Sequence, residues 1–291
     1  MHDRREINAE IFKDTEYMYK SNEKLKNAVS NSLREQRMIL ETEEVSVSSI
    51  EPRKGKIVVF GKRTLEASEI YAKQGKKVCV LNFASATSPG GGVVHGSSAQ
   101  EEAICRCSIL YPCLNQKNMW EQFYIPHRTA DNPLYNDDCI FTPRVMVFKS
   151  DTNFPKLLQE SEWWTVDVIT CAAPNLRRVP SNMMNPGGGS SRAEISYEGL
   201  RILLQNRIRR IFEVAAASGA EVLILGAFGC GAFRNPPKLV AEVFAELTEQ
   251  YRECFEVIEY AVFHMEHEKA NYEAFKDAMR CFAECSGNVS K

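Results

Sequence analysis

Residues 81–107 read Leu-Asn-Phe-Ala-Ser-Ala-Thr-Ser-Pro-Gly-Gly-Gly-Val-Val-His-Gly-Ser-Ser-Ala-Gln-Glu-Glu-Ala-Ile-Cys-Arg-Cys. The apolar run over 78–83 has the composition of a buried strand, and it opens into small residues and three consecutive glycines, Gly90, Gly91 and Gly92. Glycines in a row remove the side chains that would hold a ligand off the backbone. Two adjacent carboxylates, Glu101 and Glu102, follow within reach of whatever the loop holds. Ser98 and Glu101 have the Ser-x-x-Glu spacing of a capping box, which predicts that a helix starts there. A strand, a loop shaped for close approach and fixed acids at a helix start are parts that glycosidic chemistry on a phosphate-bearing sugar would use.

Outward from this stretch, strands alternate with helices. A short β-rich run over 57–60 and a helix over 64–74, closed by Gly75, precede it. The helix from about 100 to 110 is expected to end before Pro112. Residues 111–150 read as irregular, rich in proline and aromatic residues, with a strand over 145–149 and another over 166–172. A polar loop over 176–192 contains Pro186-Gly-Gly-Gly-Ser-Ser191, within which the run Gly187–Ser190 most resembles a flexible connection. A long amphipathic helix over 194–217, a strand over 221–225, a helix opened by Pro236 and Pro237, a strand over 257–263 and a helix over 271–282 follow. Residues 4–40 read as one or two amphipathic helices, an accessory cap. The alternation predicts an α/β layered fold with helices on both faces of the sheet. In such sheets ligands sit beyond the strand carboxyl ends. A second glycine loop, Gly226-Ala-Phe-Gly-Cys-Gly-Ala-Phe-Arg-Asn235, follows the 221–225 strand, so both loops belong on one rim.

The second loop offers backbone N–H groups beside a helix N-terminus, an anion site that needs no lysine. It lacks the Gly-Lys-Ser/Thr of a Walker loop, and Asn235 and the prolines break the Gly-x-Gly-x-x-Gly pattern. Its structural alternative is a tight turn. For Glu101 and Glu102 the alternative is a solvated helix N-terminus, where the dipole favours acids. Neighbouring helix residues point about 100° apart, so both acids meet one ligand only if it sits over the helix end. The dipole lowers a carboxyl pKa whereas a general acid needs it raised, and burial under a ligand would oppose the dipole. His264 and His267 lack a third ligand at matching spacing, so no metal is expected. The aromatic residues of 111–150 read mainly as core, with one or two available to stack on a base.

With 291 residues, 44% hydrophobic and 25% charged, the chain fits one large globular domain or two small ones. A net charge of −2 provides no global field toward nucleic acid or an anionic membrane. An anionic ligand must therefore be held by local donors. The ten cysteines lie mostly in apolar stretches, and Cys105 with Cys107, like Cys281 with Cys285, lacks C-x-x-C spacing. Buried reduced thiols are expected rather than a disulfide framework. No apolar run reaches roughly eighteen residues, and the start, Met-His-Asp-Arg-Arg-Glu, lacks a signal peptide's apolar core. A cytoplasmic location is expected.

Gly90-Gly91-Gly92, seven intervening residues and Gln100-Glu101-Glu102 together resemble the signature of poly(ADP-ribose) glycohydrolases. The longer string, Leu81-Asn-Phe-Ala-Ser-Ala86, Pro89-Gly-Gly-Gly92 and Ala99-Gln-Glu-Glu-Ala103, resembles their microbial-type branch. The similarity continues through Ser108-Ile-Leu-Tyr111, Ala172-Ala-Pro-Asn175 and residues 226–235, and spans roughly 8–282. It implies a macro domain, a three-layer α/β/α sandwich with mixed sheet, over 51–291, preceded by an N-terminal helical extension over 1–50. It further implies cleavage of the ribose–ribose O-glycosidic bonds of poly(ADP-ribose), exo-acting, with release of ADP-ribose. By the same resemblance, Glu102 is the catalytic acid and then the base toward water, Glu101 bonds the hydroxyls of the scissile ribose, and Gln100 fixes the loop. Gly90, Gly91 and Gly92 and the 229–231 segment (Gly229, Cys230 and Gly231) would wrap the diphosphate, Phe228 and Ala232 beside that segment would also bind substrate, and Phe233 would pack on the ribose. Asn82 and Ser85 would face the ligand from the first loop.

No cofactor is implied. The expected partners are poly(ADP-ribose) or ADP-ribosylated protein as substrate and ADP-ribose as product. Nucleic acid is expected only as an ADP-ribosylated substrate, a membrane is not, and the chain should be a monomer. The competing readings are a macro-domain reader that binds ADP-ribose without cleaving it, and a mono-ADP-ribosyl hydrolase acting on protein or nucleic acid. Retention of both acids argues for an enzyme, because a reader needs neither. The chain departs from the branch in Val93-Val-His-Gly-Ser-Ser-Ala99, where His95 reads as a solvent-facing loop residue, and in the 176–192 loop.

Overall fold

The computed structural model describes residues 3–47 and 51–285, with side chains through residue 282. The expected boundary at residue 50 lies outside the described residues. Helices α1 (Arg4–Ser21) and α2 (Glu23–Glu35) lead into a short strand, β1 (Arg37–Ile39). Then come β2 (Lys56–Phe60), α3 (Thr64–Ala72), β3 (Val78–Phe83), α4 (Gln100–Cys107), α5 (Leu110–Leu114), α6 (Lys117–Met119) and α7 (Ile125–Ala130). The second half holds β4 (Cys139–Val147), β5 (Trp164–Cys171), α8 (Tyr197–Ala217), β6 (Val222–Leu225), α9 (Pro237–Tyr251), β7 (Val257–Ala261), α10 (Ala270–Ala278) and α11 (Arg280–Cys285).

One seven-stranded mixed sheet runs β1-β4-β5-β3-β6-β7-β2. The strands from β5 to β2 are parallel, and β4 is antiparallel to both its neighbours. β3 lies at the centre and is covered on both sides, which is why its sequence is a continuous apolar run rather than an alternation. Successive side chains on a strand point to opposite faces. Cys79 and Leu81 therefore belong to the core cluster that holds Leu204 and Phe212 of α8 and Phe244 of α9, while Val78 and Val80 belong to the one that holds Phe12 of α1, Leu25 of α2 and Ile104 of α4. Helices thus cover both faces. Each such side chain, fully buried, contributes about 1.5–3 kcal/mol. Seven of the nine cysteines with described side chains are buried free thiols, several of them in these two clusters. No helix among the described residues is long and apolar enough to cross a membrane.

After β3 the chain builds β4 and β5 on one side, then crosses through α8 to place β6 on the other. The ends of β3 and β6 are consequently a switch point, where a ligand crevice opens beyond the sheet. Arg207 of α8, buried to 1% exposure, fixes this rim. Its guanidinium donates to Asp137 Oδ1 at 2.7 Å and to the carbonyls of Leu134 and Ala172, each at 2.9 Å.

Three elements depart from expectation. The helix expected over 100–110 stops at Cys107, because Ser108 turns extended and bridges to Val147. A new helix, α5, then contains Pro112, which sits in the first turn where its missing N–H costs no helical bond. The stretch over 111–150 also includes α6, a π-helical turn over Trp120–Tyr124 and α7. Its strand begins at Cys139, not near 145, because a bulge absorbs Pro143 and Arg144: pairing with β5 shifts register between Thr142 and Val145, and Arg144 has φ of 51°.

Candidate active site

Parallel neighbours β3 and β6 end at Phe83 and Leu225, and both glycine loops leave the sheet on the same edge. Between them lies a cleft of about 340 Å³, with Ala173 and Arg177 at the β5 end and Phe263 and Lys62 at the β7 and β2 end. Four interstrand spacings separate those ends, about 19 Å. The site suits an elongated ligand.

The capping box expected from Ser98 and Glu101 does not form. α4 begins at Gln100, and Ala99 at its N-cap offers no side-chain bond. Glu101 instead turns back to the strand, where Oε2 accepts the Ser85 N–H at 2.8 Å and Oε1 accepts from Asn82 Nδ2 at 3.3 Å. Gln100 extends the end of β3: its Oε1 accepts the Phe83 N–H at 2.8 Å, and its Nε2 donates to Leu81 O at 2.7 Å and Thr64 Oγ1 at 3.0 Å. Glu102 Oε1 accepts the Gly92 N–H at 2.9 Å, while its buried Oε2 has no hydrogen-bond partner. The two carboxylates converge over Gly91, whose missing Cβ would stand 2.7 Å from Glu102 Oε1 and 3.1 Å from Glu101 Oε2.

Glu101 and Glu102 are 2% and 7% exposed, so desolvation wins over the helix dipole even in the unliganded fold. Burial lifts the Glu101 carboxyl well above its usual range, the Glu102 charge adds to this, and the Ser85, Asn82 and Gly90 donors oppose it. Burial also raises Glu102, against the Gly92 N–H and the Arg106 charge. A carboxyl so raised holds its proton to higher pH than a free one, which suits it to donate that proton.

This carries a stability consequence. A carboxyl whose folded pKa is raised above the unfolded value of 4.5 contributes stability fully present below about 4.5 and lost as pH rises through the folded value. The melting temperature of Glu101→Gln relative to wild type is therefore expected to rise as pH rises from the ordinary carboxyl range, above an offset set by the amide nitrogen that then faces a donor. Melting curves recorded upward from the ordinary carboxyl range, about pH 4, check this; a pH-independent difference contradicts it.

In the second loop, Gly229 has φ of 72° and a Cβ there would lie 2.5 Å from Ala173 Cβ and from Asn235 Nδ2. Asn235, 1% exposed, staples the loop by donating to Pro174 O at 2.8 Å and Gly229 O at 3.1 Å. Gly231 and Ala232 are exposed, and they line the cleft with Gly229 and the half-buried Phe233. Phe228 does not reach it: the ring is fully buried, edge-on to Phe83 at 5.9 Å. Cys230 is also turned inward, its thiol toward Phe228 O at 3.6 Å. Ser85, Gly91, Gln100, Glu101 and Glu102 line the cleft, whereas Asn82 stands behind Glu101. Gly90 and Gly92 make room for Tyr111 and for Ser97 with Met184. His95 is exposed on a 3-10 turn outside the lining.

The 176–192 loop is a packed wall rather than a flexible connection. Asn185, 4% exposed, accepts from Ser85 Oγ at 2.9 Å and Thr87 Oγ1 at 2.7 Å, and donates to Tyr135 OH at 3.1 Å. Gly188 packs on Asn185 and Gly189 on Pro133 at distances that leave no room for a Cβ, and Gly187 packs tightly on Arg128. Asn185 is a site residue that the sequence reading passed over. Its one signal is Asn182, three residues earlier, whose side chain accepts the Met184 and Asn185 N–H groups at 2.8 and 3.0 Å. Phe263, 47% exposed at the far end, was also missed; the Arg63 guanidinium lies 4.0 Å from its ring centre.

The family model described as microbial-type PARG, catalytic domain, matches residues 6–150. The chain is similar to the poly(ADP-ribose) glycohydrolase of Thermomonospora curvata bound to the inhibitor ADP-HPD, at 30% identity and a TM-score of 0.77, covering 95% of this chain and 99% of that one. It is also similar to the poly(ADP-ribose) glycohydrolase of Deinococcus radiodurans in complex with ADP-ribose, at 28% identity and a TM-score of 0.72, covering 87% and 97%. No curated protein matches the sequence.

Proposed function

The chain belongs to the microbial-type poly(ADP-ribose) glycohydrolases, and from that premise we propose that its cleft hydrolyses the ribose–ribose bonds of poly(ADP-ribose), exo-acting, with release of ADP-ribose. The observation that carries this is the convergence of two buried, pKa-raised carboxyls over Gly91 in a cleft walled by two glycine loops. A reader would carry the cost of burying both acids with no use for either. The fold reading is a macro domain with helices layered on both faces of a mixed sheet, and helices 4–35 form its N-terminal extension. The cytoplasm and the monomeric state belong to the same reading, with nucleic acid met only as an ADP-ribosylated substrate.

Glu102 is the general acid. Its Oε1 is held by Gly92, which leaves Oε2 to carry the proton. As the bond from the ribose anomeric carbon to the leaving oxygen breaks, Oε2 gives that oxygen its proton, and the sugar acquires oxocarbenium character. The carboxylate now left on Glu102 stabilises this cation and takes a proton from the water that adds to it, which restores the acid. Glu101, fixed by Ser85 and Asn82, orients the ribose hydroxyls, and Phe233 packs on the ring. Gly229, Gly231 and Ala232 close on the diphosphate through backbone N–H groups. Phe263 offers the adenine a face, with Arg63 beside it.

Incubation with poly(ADP-ribose), with mono-ADP-ribosylated protein and with mono-ADP-ribosylated DNA tests the reading. Free ADP-ribose from the polymer, without early oligomers, is the expected product. Early oligomers would indicate endo cleavage. Binding of ADP-ribose with no release from any of the three substrates would turn the assignment to a reader.

A further inference from the structure

One face of α1 presents Asn8, Phe12 and Thr15, at i, i+4 and i+7, and all three are at most 1% exposed. Phe12 would suffice for packing, edge-on to Tyr111 at 4.9 Å. The two polar side chains are a different matter, because a buried polar atom costs stability unless it is paired. Both are aimed at the segment that carries the acids. Asn8 Nδ2 donates to Gly96 O at 3.0 Å, and the Arg5 carbonyl lies so close to Gly96 that no Cβ fits there. Thr15 Oγ1 donates to Arg106 O at 2.6 Å and accepts from Lys149 Nζ at 2.8 Å. Lys149, itself 1% exposed, also donates to Ile11 O at 3.1 Å and pairs with Asp14 at 2.7 Å.

From these anchors short links lead to Glu102. Gly96 N–H donates to Val93 O at 3.0 Å, and Ser97 N–H to Gly92 O at 3.1 Å, closing the turn whose Gly92 N–H holds Glu102 at 2.9 Å. On the other side Arg106 Nη1 donates to Ser97 O at 2.5 Å, so the end of α4 and the turn are joined as well. We propose that α1 is part of the catalytic apparatus, with Asn8 and Thr15 as positioning residues that hold the Glu102 cradle from behind. Neither touches substrate. Each fixes one end of the 92–106 segment, so that the proton-donating oxygen stays in register with the ribose. This rests on the hydrolase reading above.

Thr15→Val removes the hydroxyl at constant volume, Thr15→Ser keeps it, and Asn8→Leu removes the amide donor from the other anchor. On poly(ADP-ribose), Thr15→Val and Asn8→Leu are expected to lower kcat about tenfold or more, with ADP-ribose Kd within about twofold of wild type, and Thr15→Ser to restore the rate. Backbone amides over 92–97 should exchange with solvent faster in the first two variants. Unchanged kcat in either folded variant, or kcat and affinity lost together, would overturn the proposal. If Thr15→Val does not fold, the Asn8→Leu arm decides. Should the wild-type protein itself release no ADP-ribose, the hydrolase reading fails on its own, and unchanged amide exchange over 92–97 would still refute the mechanical coupling.

Discussion

Glu102→Gln is expected to bind ADP-ribose within a few-fold of wild type and to lose most hydrolysis of poly(ADP-ribose), about 10²–10⁴-fold in kcat. The amide is close to isosteric, so its oxygen can still accept the Gly92 N–H while the nitrogen takes the place of the unpartnered Oε2. Nothing then remains to protonate the leaving oxygen. The pH profile offers a second reading of the same residue. Burial raises the Glu102 pKa, so the wild-type rate should fall as pH rises through that raised value, and the residual rate of Glu102→Gln should lack this limb. Single-turnover hydrolysis for the chemistry and calorimetry for ADP-ribose binding separate the two quantities. Near-normal turnover in the variant would remove Glu102 from the mechanism.

What could be read from the chain was whatever depends on local pattern. β3 was legible at 78–83 because a parallel strand covered on both faces needs an unbroken apolar run, and the two glycine loops were legible because each follows such a strand. Long-range pairing was not. The spacing of Ser98 and Glu101 satisfies a capping box equally well, but Glu101 bonds Ser85 and Asn82, 16 and 19 residues upstream, and helix spacing holds no record of that choice. Pro143 ends a run locally, so the pattern marks only the later part of β4, whereas β5 holds the whole strand together across the bulge. In 176–192 a glycine-rich composition suggests freedom, yet Gly187 and Gly189 are packed by Arg128 and Pro133, distant in sequence, and Gly188 by Asn185 of the same loop. Phe228 sits among small loop residues and reads as a ligand contact, but the apolar pocket against Phe83 claims it. The sign of the acids' pKa shifts could be read only once burial was known.

Gly91→Ala is the other substitution expected to abolish most activity, at least about 10²-fold in kcat/KM. Two penalties act there together. Gly91 has φ of 57°, where a Cβ costs about 1–2 kcal/mol. That Cβ would also stand 2.7 Å from Glu102 Oε1, 3.2 Å from Glu102 Cδ and 3.1 Å from Glu101 Oε2, so both carboxylates must move. Gly75 separates the two effects, since it has φ of 78° with nothing within 4 Å of its Cβ position and lies far from the cleft lining. Gly75→Ala should therefore lower Tm through backbone strain and leave kcat/KM near wild type. If Gly91→Ala lowered Tm by a similar amount and kept its activity, the carboxylates would have to tolerate displacement, and the tight geometry over Gly91 would not be what the chemistry uses. Loss of activity in Gly91→Ala alone would place the requirement on the position of the two acids, because strain of the same kind is present in both variants.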